Sequence, residues 1–154
     1  MKELIIRRAT INDLVTLKEF EQGLITAERS FNNLVKPDPV CYYALDEMLT
    51  DPDIDFVIGE MNDTPVACGY SHIEEAKHYY RFTRQAYLGM MYVLPEFRGL
   101  GINAAIMNAL KEKAEQRGVR DLCLEVFSSN SPAINAYKKA GFNSQIIQMR
   151  TSLS

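Results

Sequence analysis

The chain has 154 residues, 47% of them apolar and 24% charged. That is enough to bury a hydrophobic core without disulfides or metals, and it excludes collagen-like, coiled-coil and largely disordered chains. Seventeen Lys and Arg stand against twenty Asp and Glu, a formal charge of −3, so a duplex-binding surface, which must neutralise phosphates, is disfavoured.

In chain order, Glu3 to Arg8 reads as a first strand. Thr10 is placed to cap a helix from about Ile11 to Gln22, with Asp13 in its first turn and Leu14, Leu17, Phe20 and Glu21 tracing its face. A second helical piece is expected over Thr26 to Leu34, broken by Pro37 and Pro39, and a short third one over Tyr42 to Leu49. Ile54 to Met61 is a strand, Asn62-Asp63-Thr64-Pro65 carries turn chemistry, and Val66 to Glu75 and Thr83 to Val93 are two further strands. Gly99 to Arg117 is helical, with Ile102, Ile106, Ala109, Leu110 and Ala114 recurring on one face until Gly118 stops it. Arg120 to Phe127 alternates as a strand, Asn130 to Ala140 is a helix ended by Gly141, and Gln145 to Leu153 is a last strand. The expected fold is a single α/β domain over residues 1–154, a mixed sheet with helices on both faces.

No apolar run is long enough to cross a bilayer, and the first residues lack the apolar segment and cleavage site of a secretion signal. The expectation is a cytoplasmic protein with no membrane and no nucleic-acid partner. Cys41, Cys68 and Cys123 form no CxxC pair, and with only His72 and His78 beside them a metal site is not expected. The basic and aromatic loop from Lys77 to Arg84 reads as a solvated hairpin or a dimer surface, which leaves monomer and homodimer both open.

The chemistry concentrates after Val93. A strand ends there, Pro95 turns the chain, and a helix opens within Arg98-Gly99-Leu100-Gly101-Ile102-Asn103. Two glycines remove side chains where backbone amides would approach an anion, and free amides at a helix N-terminus suit phosphate. The third glycine of a dinucleotide fingerprint and the Gly-Lys-Ser/Thr of a P-loop are both absent. A Gly-rich turn with no ligand is the competing reading. Further on, Leu122-Cys123-Leu124-Glu125-Val126-Phe127 is followed by Asn130, Ala133, Tyr137, Gly141 and Phe142 at fixed spacing.

Together these two segments resemble the GCN5-related N-acetyltransferase (GNAT) superfamily, whose pyrophosphate run is Arg/Gln-x-x-Gly-x-Gly/Ala and whose later pattern is Asn-x-x-Ala-x-x-x-Tyr-x-x-x-Gly-Phe. The resemblance covers essentially the whole chain and implies a mostly antiparallel sheet whose central strands splay to form an acetyl-CoA cleft. It implies that backbone groups of Met91 and Val93 bond the pantetheine arm and that Arg98 and the amides from Gly99, Leu100, Gly101 and Ile102 to Asn103 hold the pyrophosphate. Asn130 would contact pantetheine, Ala133 would pack on the coenzyme, and Tyr137 would protonate the departing thiolate. The implied activity is direct acetyl transfer from acetyl-CoA to a primary amine of a small molecule or peptide, with no metal. A non-catalytic acyl-CoA-binding module is the alternative.

The sequence departs from the family pattern at three places, one of them Ala136, which stands where many relatives have Leu or Phe and implies altered packing only. Asn103 replaces a small residue, so its side chain either crowds the diphosphate or bonds to it. Leu88-Gly89-Met90-Met91 lacks the acidic residue that many relatives carry there, and Glu125, twelve residues before Tyr137, is the substitute base. A solvent-facing structural glutamate is the competing reading, with Glu74 and Glu75 as weaker candidates.

Overall fold

The computed structural model describes residues 3–154. Strand β1 (Leu4–Arg8) leads through a 3-10 turn (Ile11–Asp13) into helix α1 (Leu14–Glu28), and a long connection carries the short helix α2 (Leu45–Met48). Strands β2 (Ile54–Met61), β3 (Thr64–Glu75) and β4 (Arg84–Val93) follow, then a 3-10 turn (Pro95–Phe97), helix α3 (Ile102–Gln116), strand β5 (Leu122–Cys123) and helix α4 (Ser131–Lys139). The strands form one sheet in the order β1-β2-β3-β4-β5, antiparallel throughout except for the parallel pair β4–β5. No helix among the described residues is long and apolar enough to cross a membrane.

Strand alternation sorts the core into two layers. Val57, Ala67 and Leu88 face α3, where Ile106, Met107, Leu110 and Ala114 are buried against them. Phe56, Ile58 and Tyr70 face the other way, toward Leu17 and Phe20 of α1 and Leu45 of α2. With both faces covered, β2 is buried from Ile54 to Gly59. Each fully buried Leu or Ile in these layers contributes about 1.5–3 kcal/mol.

Local chemistry sets the element boundaries. Thr10 and Asp13 form a reciprocal capping box, and Arg7 grips Asp13 through two 2.8 Å bonds while also reaching Glu60 at 2.7 Å. This cluster ties β1, β2 and the helix start together, and the Arg7 guanidinium holds the Asp13 carboxyl below its usual range. Asn62 and Asp63 both adopt positive φ, as a two-residue hairpin turn between β2 and β3 requires. Gly118 and Gly141, also at positive φ, end α3 and α4 by returning amides to the last-turn carbonyls.

Four sequence expectations are corrected. The helical pieces over Ile11–Gln22 and Thr26–Leu34 are one helix ending at Glu28. Gly23 does not break it; a Cβ there would lie 2.2 Å from the Tyr92 hydroxyl, so the glycine makes room for that ring. Helix α3 starts at Ile102, because Gly99 and Gly101 are left-handed. The strand expected over Arg120–Phe127 is paired only at Leu122 and Cys123, since it diverges from β4 beyond them. The strand expected over Gln145–Leu153 does not form, and every residue from Asn143 to Ser154 is exposed.

Candidate active site

The site begins where the sheet opens. Strands β4 and β5 pair at Ala86–Leu122 and Tyr87–Cys123 and then part, so Leu88 to Val93 have no neighbour on that edge. A β-bulge lies in the same stretch: Met90 and Met91 together oppose Gly69 of β3, with Met90 at φ 47°. Such a bulge bends its strand and increases the local twist, which turns β4 away from its neighbour. The Met91 sulfur occupies the space over Gly69 that a side chain would fill. The bulge is anchored through the Met90 carbonyl, which accepts from the Cys68 thiol at 3.4 Å.

Immediately beyond β4, Gly99 and Gly101 sit at φ 79°, and a Cβ on either would meet no atom within 4 Å. The space in front of these backbone units is therefore open. Helix α3 has no side-chain cap, so its first-turn amides at Ile102, Asn103 and Ala104 lack an intrahelical acceptor. Ile102 anchors this turn in the core, Leu100 is exposed and Asn103 is half-buried. Arg98 is held back against the strand end. Its Nε donates to the Val93 carbonyl at 2.9 Å, and its guanidinium lies 5.5 Å from the centre of the Tyr92 ring. The Val93 carbonyl expected to meet a pantetheine arm thus already accepts one bond.

The opposite wall comes from β5 and α4. Asn130 caps α4, its Oδ1 accepting from the Ala133 amide at 3.3 Å. Ala133 and Tyr137, one turn apart, are both half-buried. The Tyr137 ring packs edge-on against Phe142, and burial, reinforced by the charge of Glu28, raises its phenol. Glu125 lies exposed past the end of β5 and accepts from the Tyr87 hydroxyl at 3.0 Å. Glu74 is engaged elsewhere, accepting from Gln85 at 2.8 Å. No group of three or more His, Cys, Asp or Glu among the described residues could hold a metal ion.

This arrangement can be set beside known proteins. The family model described as "Acetyltransferase (GNAT) family" matches residues 19–142, a span that includes the bulge, the glycine turn and α4. The chain belongs to the GNAT family of acetyltransferases. Over 146 residues it is 30% identical to an N-alpha-acetyltransferase of Sulfurisphaera tokodaii, covering 92% of this chain and 81% of that protein. In fold it is similar to a predicted acetyltransferase from Clostridium acetobutylicum solved with acetyl-CoA, at a TM-score of 0.75 and 19% identity, covering 97% and 96% of the two chains. It is also similar to the BH1408 protein of Bacillus halodurans, at a TM-score of 0.86 and 17% identity, covering 97% and 99%.

Sequence reasoning did not find several residues of this acetyltransferase that shape the cleft. Glu21, 2% exposed, accepts from the amides of Tyr42 and Tyr43 at 3.0 and 2.8 Å and so fixes the segment ahead of α2. That segment stacks Tyr43 edge-on against Tyr70 at 5.8 Å. Burial raises the Tyr43, Tyr70 and Tyr87 phenols, so all three stay protonated donors at neutral pH. Glu28, at the end of α1, is half-buried, and burial raises its carboxyl despite a bond from the Tyr42 hydroxyl. The usable signal was sequence parity, which groups Glu125 with Cys123 rather than with Leu122 and Leu124, and Glu125 does meet Tyr87.

Proposed function

We propose that this acetyltransferase takes acetyl from acetyl-CoA and transfers it directly to the α-amine of a peptide or protein N-terminus. The observation that carries the reading is the gap between β4 and β5, which runs into the open glycine turn at the start of α3. A long, amide-bearing thioester arm ending in a diphosphate matches both parts. Similarity to the Sulfurisphaera relative, an N-alpha-acetyltransferase, supports an α-amine as the acceptor here.

The residues present fit the coenzyme. Gly99 and Gly101 leave open space beside the backbone at the positive end of a fifteen-residue helix, and amides there suit a diphosphate. The unpaired edge of β4 at Met91 offers backbone groups to the pantetheine amides, while Val93 shares its carbonyl with Arg98. Asn130, its oxygen committed to the helix cap, has its side-chain amide left to donate, and Ala133 presents a small surface beside it. When bound, acetyl-CoA supplies an acyl group activated as a thioester.

The protein's own residues then manage two protons. The amine nitrogen forms a bond to the thioester carbonyl carbon, the carbon–sulfur bond breaks, and the sulfur takes a proton from Tyr137. Burial keeps that phenol protonated, ready to donate. The proton lost by the amine passes to Glu125, directly or through one water, with the Tyr87 hydroxyl holding the carboxylate in place. An α-amine, with a reference pKa of about 8, needs less help than a lysine amine at about 10.4.

The test is a thiol-release assay with acetyl-CoA and three acceptor sets: a peptide with a free α-amine, an Nα-blocked peptide carrying lysine, and small amines. Release confined to the first set supports the reading. Release only with the other sets would reassign the acceptor, and acetyl-CoA binding without release would leave a binding module.

A further inference from the structure

The loop between β3 and β4 and the turn between α3 and β5 meet in an open groove of about 410 Å³. Arg81, Arg84 and Arg120 line it together with Asp121, so three guanidinium groups stand against one carboxylate in a chain whose formal charge is −3. Arg117, close by, is already paired, donating to the two oxygens of Asp55 at 2.8 and 3.0 Å. Arg84 donates to the Arg117 carbonyl at 3.0 Å, which fixes it in the groove wall. Arg81 and Arg120 are exposed, and Arg120 meets Glu115 at 3.9 Å, a long pair that solvent screens. The groove is a local excess of positive charge.

Phe82 lines the same groove and is the inner end of a row of rings. Its centroid lies 5.5 Å from that of Tyr80, Tyr80 lies 5.3 Å from Tyr79, and Tyr79 lies 5.2 Å from His78. Among the described residues, Tyr79, Tyr80 and Phe82 belong to neither core layer, and Tyr79 is 65% exposed. Core packing therefore does not account for the row. Aromatic faces take nucleobases by stacking, and planar guanidinium forks take phosphate through paired hydrogen bonds.

Position sets the groove apart from the cleft. Arg84 shares its strand parity with Ala86 and Leu88, which face α3, whereas Tyr87 packs into the layer on the α1 side. The glycine turn lies at the other end of α3, whose fifteen residues put about 22 Å between them. The net charge of the chain disfavours a duplex, with its long run of phosphates, but a single nucleotide needs only one anion site.

We infer that this groove binds a nucleoside phosphate, with the phosphate on Arg81, Arg84 and Arg120 and the base against Phe82. A free nucleotide and the end of a single-stranded RNA present the same chemistry. An acidic peptide would engage the arginines but has no use for the aromatic row. The inference does not rest on the acetyl-transfer reading, because the groove shares no residue with the glycine turn or the cleft.

Calorimetry on the full-length protein tests it, with AMP, UMP, inorganic phosphate, a short oligouridine and an oligoglutamate peptide titrated in turn. AMP or UMP is expected to bind with a Kd of about 1 mM or tighter, and inorganic phosphate about tenfold more weakly. Binding of the oligouridine without the mononucleotides would also support the inference and name RNA as the source. The Arg81→Gln, Arg120→Gln double variant should weaken nucleotide binding by about tenfold or more, and Phe82→Leu should weaken the nucleotide while leaving phosphate unchanged. Both arginines are exposed, so the double variant keeps its far-ultraviolet spectrum. Gly101→Val closes the glycine turn to a nucleotide and should leave this affinity as it is. The inference is overturned by any of four results: no binding of nucleotide or RNA, equal binding of phosphate or the acidic peptide, indifference to the arginine or Phe82 changes, or loss of nucleotide binding in Gly101→Val alone.

Discussion

The Tyr87 hydroxyl donates to Glu125 at 3.0 Å, joining the last β4 residue paired with β5 to a residue two positions past Cys123, its partner in that pair. The bond spans the mouth of the cleft at the point where the strands separate. Burial and the facing carboxylate keep Tyr87 protonated well above the ordinary phenol range, so it acts as a fixed donor throughout the working pH. Glu125 is thereby oriented, yet it remains exposed and reachable.

If Glu125 accepts the amine's proton, Glu125→Gln keeps the Tyr87 bond and removes the base. The variant is expected to be slow near neutral pH and to recover as pH approaches the amine's own pKa of about 8, where free amine needs no base. Tyr87→Phe should give a smaller loss with the same pH dependence, since it loosens the carboxylate without removing it. Rate–pH profiles of both variants check this. A defect equal at every pH would mean lost positioning, and no defect would hand the proton to water.

Tyr137 carries the opposite proton. Tyr137→Phe should lower kcat by roughly 10²–10⁴-fold, the usual range of acid–base assistance, with the acetyl-CoA dissociation constant nearly unchanged. Because burial raises this phenol, activity should not fall through its ionisation until pH rises past the ordinary phenol value of about 10. Full turnover by the phenylalanine variant would return Tyr137 to packing against Phe142.

The elements that carry the cleft were legible because their signals are local. Gly99 and Gly101 mark left-handed backbone, Thr10 and Asp13 mark a helix start, and the motif residues Asn130 to Phe142 sit on one helix and its terminating turn. What the sequence hid depends on partners far along the chain. The helix expected to stop at about Gln22 runs on through Gly23, against which Tyr92, 69 positions later, lies. Glu21 reads as one more residue of a helix face, because only the fold brings two distant amides to its carboxylate. The shortness of β5 was equally invisible, since its residues have full strand character and stop pairing where β4, which carries the bulge at Met90 and Met91 farther on, parts from it.

The glycine turn gives a binding prediction that is independent of turnover. A valine at position 101 would place a branched side chain in the open space before the α3 amides and hold it at φ 79°. The strain costs about 1–2 kcal/mol, and the side chain blocks the approach of an anion. Gly101→Val should weaken CoA binding more than tenfold, about 1.4 kcal/mol or more, while the helix content stays intact. Titration calorimetry reads this directly, and unchanged affinity would remove the turn from the coenzyme site.

Glu28 provides a pH test of the acceptor side. Burial penalises its carboxylate more than the Tyr42 bond compensates, so the folded chain holds this proton more tightly than the unfolded chain does. Stability therefore falls as pH rises from the ordinary carboxylate value through the raised folded one. Below that window both states are protonated and Glu28 costs nothing as a charge; above it the full penalty applies. Glu28→Gln does not titrate and removes the dependence. The variant should match the parent protein below about pH 4 and become the more stable of the two as pH approaches 7. Asp13, which Arg7 pulls the other way, is common to both proteins and cancels in the difference. Urea midpoints measured in parallel across this range supply the comparison. A stability difference that does not change with pH would mean that Glu28 is solvated in the folded chain and its charge does not bear on Tyr137.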